Sequence, residues 1–160
     1  HLIASFRGGK ARVLFSAEDN KGVEITGEFL DNYKVKLSVF NLSEGKKEII
    51  IDQSEKKEIY NEQNIYNSQG KLIKKIKPYS YPFSSLEAVD YDLDGVFELK
   101  GDQRVVGAYG ADGVAFIHSS WEFQDSDWSL DNFYFYKLLD YVKVNNSLKK
   151  DKGDSSKVKL

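Results

Sequence analysis

A mainly-β domain is the expectation for this chain, arranged as an antiparallel sandwich, a meander or a partly closed barrel with at most one or two short helices. Three observations lead there. Apolar and polar residues alternate with a period of two along much of the chain, the spacing that turns one strand face toward a core. The aromatics are chiefly ten Tyr and ten Phe, which favour pleated, half-buried surfaces. Clusters of Gly, Asn, Asp and Ser punctuate the alternating runs. At 160 residues and 41% hydrophobic, the chain is long enough to bury one proper core.

The elements follow in order. Val23, Ile25 and Phe29 share one face of a run, and Tyr33, Val35, Leu37 and Val39 repeat the pattern after Asp31-Asn32. Residues 23–40 therefore read as a hairpin with a two-residue turn. Ser43-Glu44-Gly45-Lys46 turns the chain into a third strand at 48–51, and 71–76 reads as another after Asn67-Ser68-Gln69-Gly70. Between them, 54–60 has the makings of a short helix, with Ser54 as N-cap and Glu55 favouring the first turn. Pro78 and Pro82 bar a central strand at 77–83, which reads as an irregular crossover.

The second half predicts strands at 86–89, from 96 to 100 or on to 106, at 114–123 and at 128–136. The last two are joined by a turn at Gln124-Asp125-Ser126-Asp127. Ile117, Trp121 and Phe123 point one way and Phe116, His118 and Glu122 the other, while 133–136 is aromatic on both faces, the pattern of two-sided burial. Residues 138–144 continue as strand or short helix. Residues 1–144 are thus expected to form one β-rich domain, with 145–160 a polar tail that has little drive to fold.

Asp90-Tyr91-Asp92-Leu93-Asp94-Gly95-Val96-Phe97-Glu98 is the stretch that carries chemistry. Asp at positions one, three and five can converge on one hard cation, and Gly at six permits the sharp turn that brings them together. The Val96 carbonyl and the Glu98 carboxylate would complete an oxygen shell suited to Ca²⁺. The same acids can instead cap backbone N–H groups of an Asp-rich turn. It is not an EF-hand loop, because position twelve is Gly101 and neither flank reads as helix.

The loop resembles those of FG-GAP and VCBS-type repeats, the family of the integrin α-chain propeller, with Glu98 in place of the usual last Asp. One copy in 160 residues is too little for a complete propeller. With Gln103-Arg104-Val105-Val106-Gly107-Ala108-Tyr109 and the Trp121 to Trp128 hairpin, it is similar to the C-terminal part of secreted VCBS-like proteins of Gram-positive bacteria. The resemblance implies an exported, calcium-bound β-module and brings no reaction with it.

Charge sharpens the partner classes. Residues 85–144 hold 4 Lys+Arg against 12 Asp+Glu, a setting that attracts cations and disfavours nucleic acid. No Cys is present, which excludes disulfides and thiolate metal sites. No apolar run approaches the ~20 residues of a transmembrane helix. Met is absent even at residue 1, so the expectation is a trimmed chain, extracellular or surface-bound, whose signal peptide or lipid anchor lay upstream.

Nucleophile elbows, zinc-protease motifs and phosphate loops are absent. Glu122 with Asp125 or Asp127 is the acid cluster outside the loop through which a glycan hydrolase would work. His118 reads as a half-exposed structural histidine. Tyr79, Tyr81, Tyr109, Trp121, Trp128, Tyr134 and Tyr136 either form core and cross-strand pairs or offer sugars a stacking platform. The expectation is a non-catalytic surface or secreted interaction module with one Ca²⁺ and a protein or cell-wall glycan partner.

Overall fold

The computed structural model describes residues 3–7, 9–16, 18, 20–41, 45–124 and 127–137. Strands β1 (Ile3–Arg7) and β2 (Lys10–Phe15) form a hairpin that precedes the first strand expected from the sequence. β3 (Ile25–Leu30), β4 (Lys34–Asn41) and β5 (Gly45–Asp52) form a three-stranded meander, followed by helix α1 (Lys57–Glu62). β6 (Tyr79–Val89), β7 (Glu98–Val106), β8 (Gly113–Gln124) and β9 (Asp127–Tyr136) form a four-stranded one. Every pairing joins sequence neighbours and is antiparallel. The mainly-β expectation holds, as packed open sheets; no sheet closes into a barrel among the described residues.

The two meanders share a core. Val35, Leu37 and Val39 of β4 cluster with Val105 of β7, Ala115 and Ile117 of β8 and Phe133 of β9, all nearly inaccessible to solvent. Alternation on each strand supplies these positions, and their removal from water is the main stabilising term. A second cluster, Phe15, Phe83 and Leu99, joins β2 to the larger sheet. Gly101 is part of the reason: a Cβ there would sit 2.2 Å from the Phe83 ring. Trp128 Nε1–H donates to the Leu14 carbonyl at 2.7 Å, closing the same junction.

Several expectations are corrected. The first meander turns through three residues and not two, since Leu30 pairs with Lys34. Asn32 and Tyr33 both adopt positive φ (59° and 58°). Tertiary contacts hold them there. The Asn32 N–H donates to Gly70 O at 2.7 Å, the Tyr33 carbonyl accepts the Gln53 N–H at 2.8 Å, and the Tyr33 ring packs 4.7 Å from Tyr66.

Ser54 does not cap the helix with its side chain. A 3₁₀ turn at Ser54–Lys56 precedes α1, and Ser54 donates its own N–H to Asp52 Oδ1 at 2.8 Å. Residues 71–76 are not a strand. Leu72 bridges Tyr66, Ile73 donates to Ile65 O, and Ile76 O accepts from Phe29, so the backbone bonds scatter over three partners.

The proline stretch, expected as a crossover, is the start of β6. Pro82 fits because β6 is an edge strand and its register slips on both sides of Phe83. β9 is buried on one face only: Phe133 is inaccessible, whereas Tyr134 is 56% exposed. The expected turn at 43–44, Asp125, Ser126, the continuation at 138–144 and the tail at 145–160 lie outside the described residues.

Candidate metal loop and the groove beside it

The acidic loop spans the gap between the end of β6 and the start of β7, where Val89 pairs with Glu98. It turns sharply because two residues take positive φ, Leu93 at 62° and Gly95 at 84°. Glycine adopts that region without cost; leucine does so against steric strain. The reversal gathers Asp90, Asp92 and Asp94, which offer carboxylate oxygens all within 4.8 Å of one another. Two ligands of one Ca²⁺, each at about 2.3–2.6 Å, lie no more than about 5 Å apart, so the trio fits one such ion.

Backbone donors already hold these acids in place. Asp90 accepts the N–H groups of Asp94 and Gly95, each at 3.1 Å, and Asp94 Oδ1 accepts that of Val96 at 2.7 Å. Each carboxylate oxygen keeps a second lone pair, so capping and metal ligation are compatible. Glu98 is engaged differently, its Oε2 accepting the Tyr91 N–H at 3.1 Å. The Val96 side chain stands 46% exposed. The loop's apolar residues also face solvent, with Leu93 85% exposed at the tip.

Sequence reasoning passed over the partner of His118. Its Nδ1 lies 2.7 Å from Asp102 Oδ1, across the β7–β8 register that pairs these two residues. An ionised carboxylate only accepts, so Nδ1 carries the proton. Asp102 also accepts from Ser85 Oγ at 2.9 Å and Tyr136 Oη at 3.1 Å. Burial pushes the Asp102 carboxyl up, but hydrogen bonds from His118 and Ser85, His118's charge and the Tyr136 hydroxyl outweigh it, holding it below its ordinary value. Asp102 and His118 are two positions that alternation places on the outer face, and a cross-strand acid–histidine pair was the available signal.

The acids proposed for hydrolysis are placed apart. Glu122 lines a groove with His118 and Tyr134, while Asp127 lines other hollows with Trp128 and caps the Trp128 N–H at 2.8 Å. Asp125 lies outside the described residues. Of the aromatic candidates, Trp121 packs against both apolar clusters, whereas Tyr79, Tyr81 and Tyr134 are 40–56% exposed.

Comparison with known proteins gives the chain a family. The family model for the YybI C-terminal domain matches residues 23–136, from the approach to β3 through the end of β9. The chain belongs to the YybI C-terminal domain family. It is similar to a protein of Bacillus subtilis (strain 168) whose name reads "Uncharacterized protein YybI", with 46% identity over 55 residues. That stretch is 34% of this chain and 21% of the relative, so the chain matches about a fifth of the relative's length. No solved structure matches. The YybI C-terminal domain model takes in the acidic loop and both larger sheets and leaves out the β1–β2 hairpin.

Proposed function

We propose that this chain is a non-catalytic, calcium-binding interaction module of an exported protein, with Asp90, Asp92 and Asp94 as the core of the metal site. The observation that carries the reading is the convergence of those three carboxylates on a loop whose reversal depends on a positive-φ leucine and glycine. An acid trio kept within 4.8 Å repels itself in the absence of a cation, and a bound ion removes that repulsion.

The Val96 carbonyl and the Glu98 carboxylate are the further ligands of the site, as the likeness to FG-GAP and VCBS loops implies. The ion's role is structural: it locks the β6–β7 connection and supplies no reaction step. Export to the extracellular space or cell surface rests on that likeness, and the absence of cysteine does not oppose it. The partner is a protein or a cell-wall glycan. No helix among the described residues is long and apolar enough to cross a membrane.

Calorimetric titration of the metal-free protein with Ca²⁺ tests the reading. One saturable site, lost in Asp92→Asn/Asp94→Asn, is the expected result. Heat-silent titration with both proteins would sink it.

A further inference from the structure

The outer face of the larger sheet carries a row of rings that the core does not use. Tyr134 is 56% exposed, and its ring lies 4.9 Å from His118 and 5.9 Å from Tyr136. Tyr136 in turn stacks on Phe116 at 5.7 Å and 13°. A groove of about 540 Å³ is lined by Tyr134 and His118 of this sheet and by Tyr91 and Asp92 of the acidic loop. That volume lies in the range of small-ligand sites, roughly 300–1,000 Å³.

Two properties of this groove select a ligand class. Its aromatic floor is mixed with hydrogen-bonding groups, including Asn132, Ser120 and Lys100. A pyranose ring needs that combination, because its C–H face packs on a flat ring while its hydroxyls bond around the edge. Glu122 and Asp131 line it away from the metal loop, Asp92 and Glu98 of the proposed metal site border it, and Lys100 is the one lysine or arginine among the described residues that line it. Acidic chains such as uronans, teichoic acids and nucleic acids are therefore repelled, and an ammonium group is attracted by carboxylates and by the face of Tyr134. The floor is also pre-set: Asp102, held by Ser85 and Tyr136, fixes the His118 ring against Tyr134, which lowers the ordering cost of binding.

We propose that this groove binds a saccharide chain, favouring amine-bearing sugars over uncharged ones and uncharged over acidic ones. The groove shares Asp92 and Glu98 with the proposed metal site, so a bound ion changes its charge, whereas Tyr134, His118, Glu122 and Asp131 line it with or without the ion. Each titration is therefore run both with Ca²⁺ and with chelator, so that failure of the calcium reading leaves the saccharide readout intact.

The test is calorimetric titration with four probes: glucosamine hexamer, N-acetylglucosamine hexamer, galacturonate hexamer and hexalysine. The expected order of affinity is glucosamine first, N-acetylglucosamine second, and galacturonate without measurable binding. Tyr134→Ala should weaken binding at least tenfold with an unchanged melting temperature, and Tyr134→Phe should retain it. Glu122→Gln/Asp131→Asn should narrow the gap between the two amino-sugar probes. Silence with all three saccharides, tightest binding of galacturonate, or indifference to Tyr134→Ala would overturn the proposal. Tyr134-dependent binding of hexalysine alone would overturn it in favour of a basic peptide.

Discussion

Lys56 and Asp112, 56 residues apart, meet with Nζ 2.8 Å from Oδ1, and the Asp112 side chain is fully buried. The carboxylate also accepts the Tyr60 hydroxyl at 2.9 Å and the Ala108 N–H at 2.8 Å. Lys56 donates in addition to the Gly113 carbonyl. Burial first, then the charge of Asp112, drives the Tyr60 pKa far upward, so that hydroxyl remains a donor. This network ties the helix between the sheets to the β7–β8 turn.

Asp112→Ala should therefore cost about 3 kcal/mol, the low end for breaking a buried pair, because Lys56 keeps partial access to water. Asp112→Asn should cost less, since its amide oxygen still accepts from Tyr60 or Ala108. Urea unfolding of both variants measures the difference. Equal stability of Asp112→Ala and wild type would mean that the network contributes nothing net.

This relationship marks where the sequence could be read and where it could not. Alternation in 23–40 and 114–136 located β3, β4, β8 and β9, because one face of each packs into the shared core. It failed at 71–76, whose apolar Leu72 and Ile76 pack on that core without a neighbouring strand. Parity assigned Tyr134 and Phe133 to opposite faces but could not tell that only one of them is covered. The acid trio was evident from its spacing alone. The Asp102–His118 pair was not, since it depends on the register between β7 and β8.

Metal removal should be visible in the melt. A ligand bound to the native state alone at ~100 times its dissociation constant stabilises by about 2.7 kcal/mol. For a domain of this size that corresponds to a rise of about 5–10 °C. Chelation should reverse the rise in wild type and leave Asp92→Asn/Asp94→Asn unmoved. Scanning calorimetry with and without chelator decides it, and superimposable wild-type traces would count against a bound ion.

Acid should weaken the Asp102 network. The Asp102 carboxyl is held below its ordinary value, so its contribution is complete above the unfolded pKa, about 3.9, and is lost as pH falls through the lower folded value. Wild type should therefore exceed Asp102→Asn in stability at about pH 5, and the margin should shrink below about pH 4. Denaturant midpoints across that range provide the comparison. A margin that widens in acid would reverse the assigned sign.

Leu93 holds φ at 62° while 85% exposed, so its side chain offers little packing in return for the strain. Leu93→Asn should stabilise the apo protein by about 0.5–1 kcal/mol, since asparagine tolerates the left-handed region. Loss of stability in urea unfolding would show that Leu93 has a contact that outweighs its backbone cost.

Trp121 decides between core and ligand platform. Its ring meets Phe83 edge-on at 6.1 Å and packs against both apolar clusters, and its Nε1–H donates to Ser119 Oγ at 2.9 Å. Ser119 is itself inaccessible and donates to the Gly101 carbonyl. Trp121→Ala should therefore open a cavity between the two clusters and cost about 3–5 kcal/mol. Trp121→Phe should recover most of the packing but not the bond to Ser119, and so fall between the two. A platform residue would behave in the opposite way, with the alanine variant melting within a degree or two of wild type. That outcome would detach Trp121 from the junction of β7, β8 and the β1–β2 hairpin and move it to a binding surface.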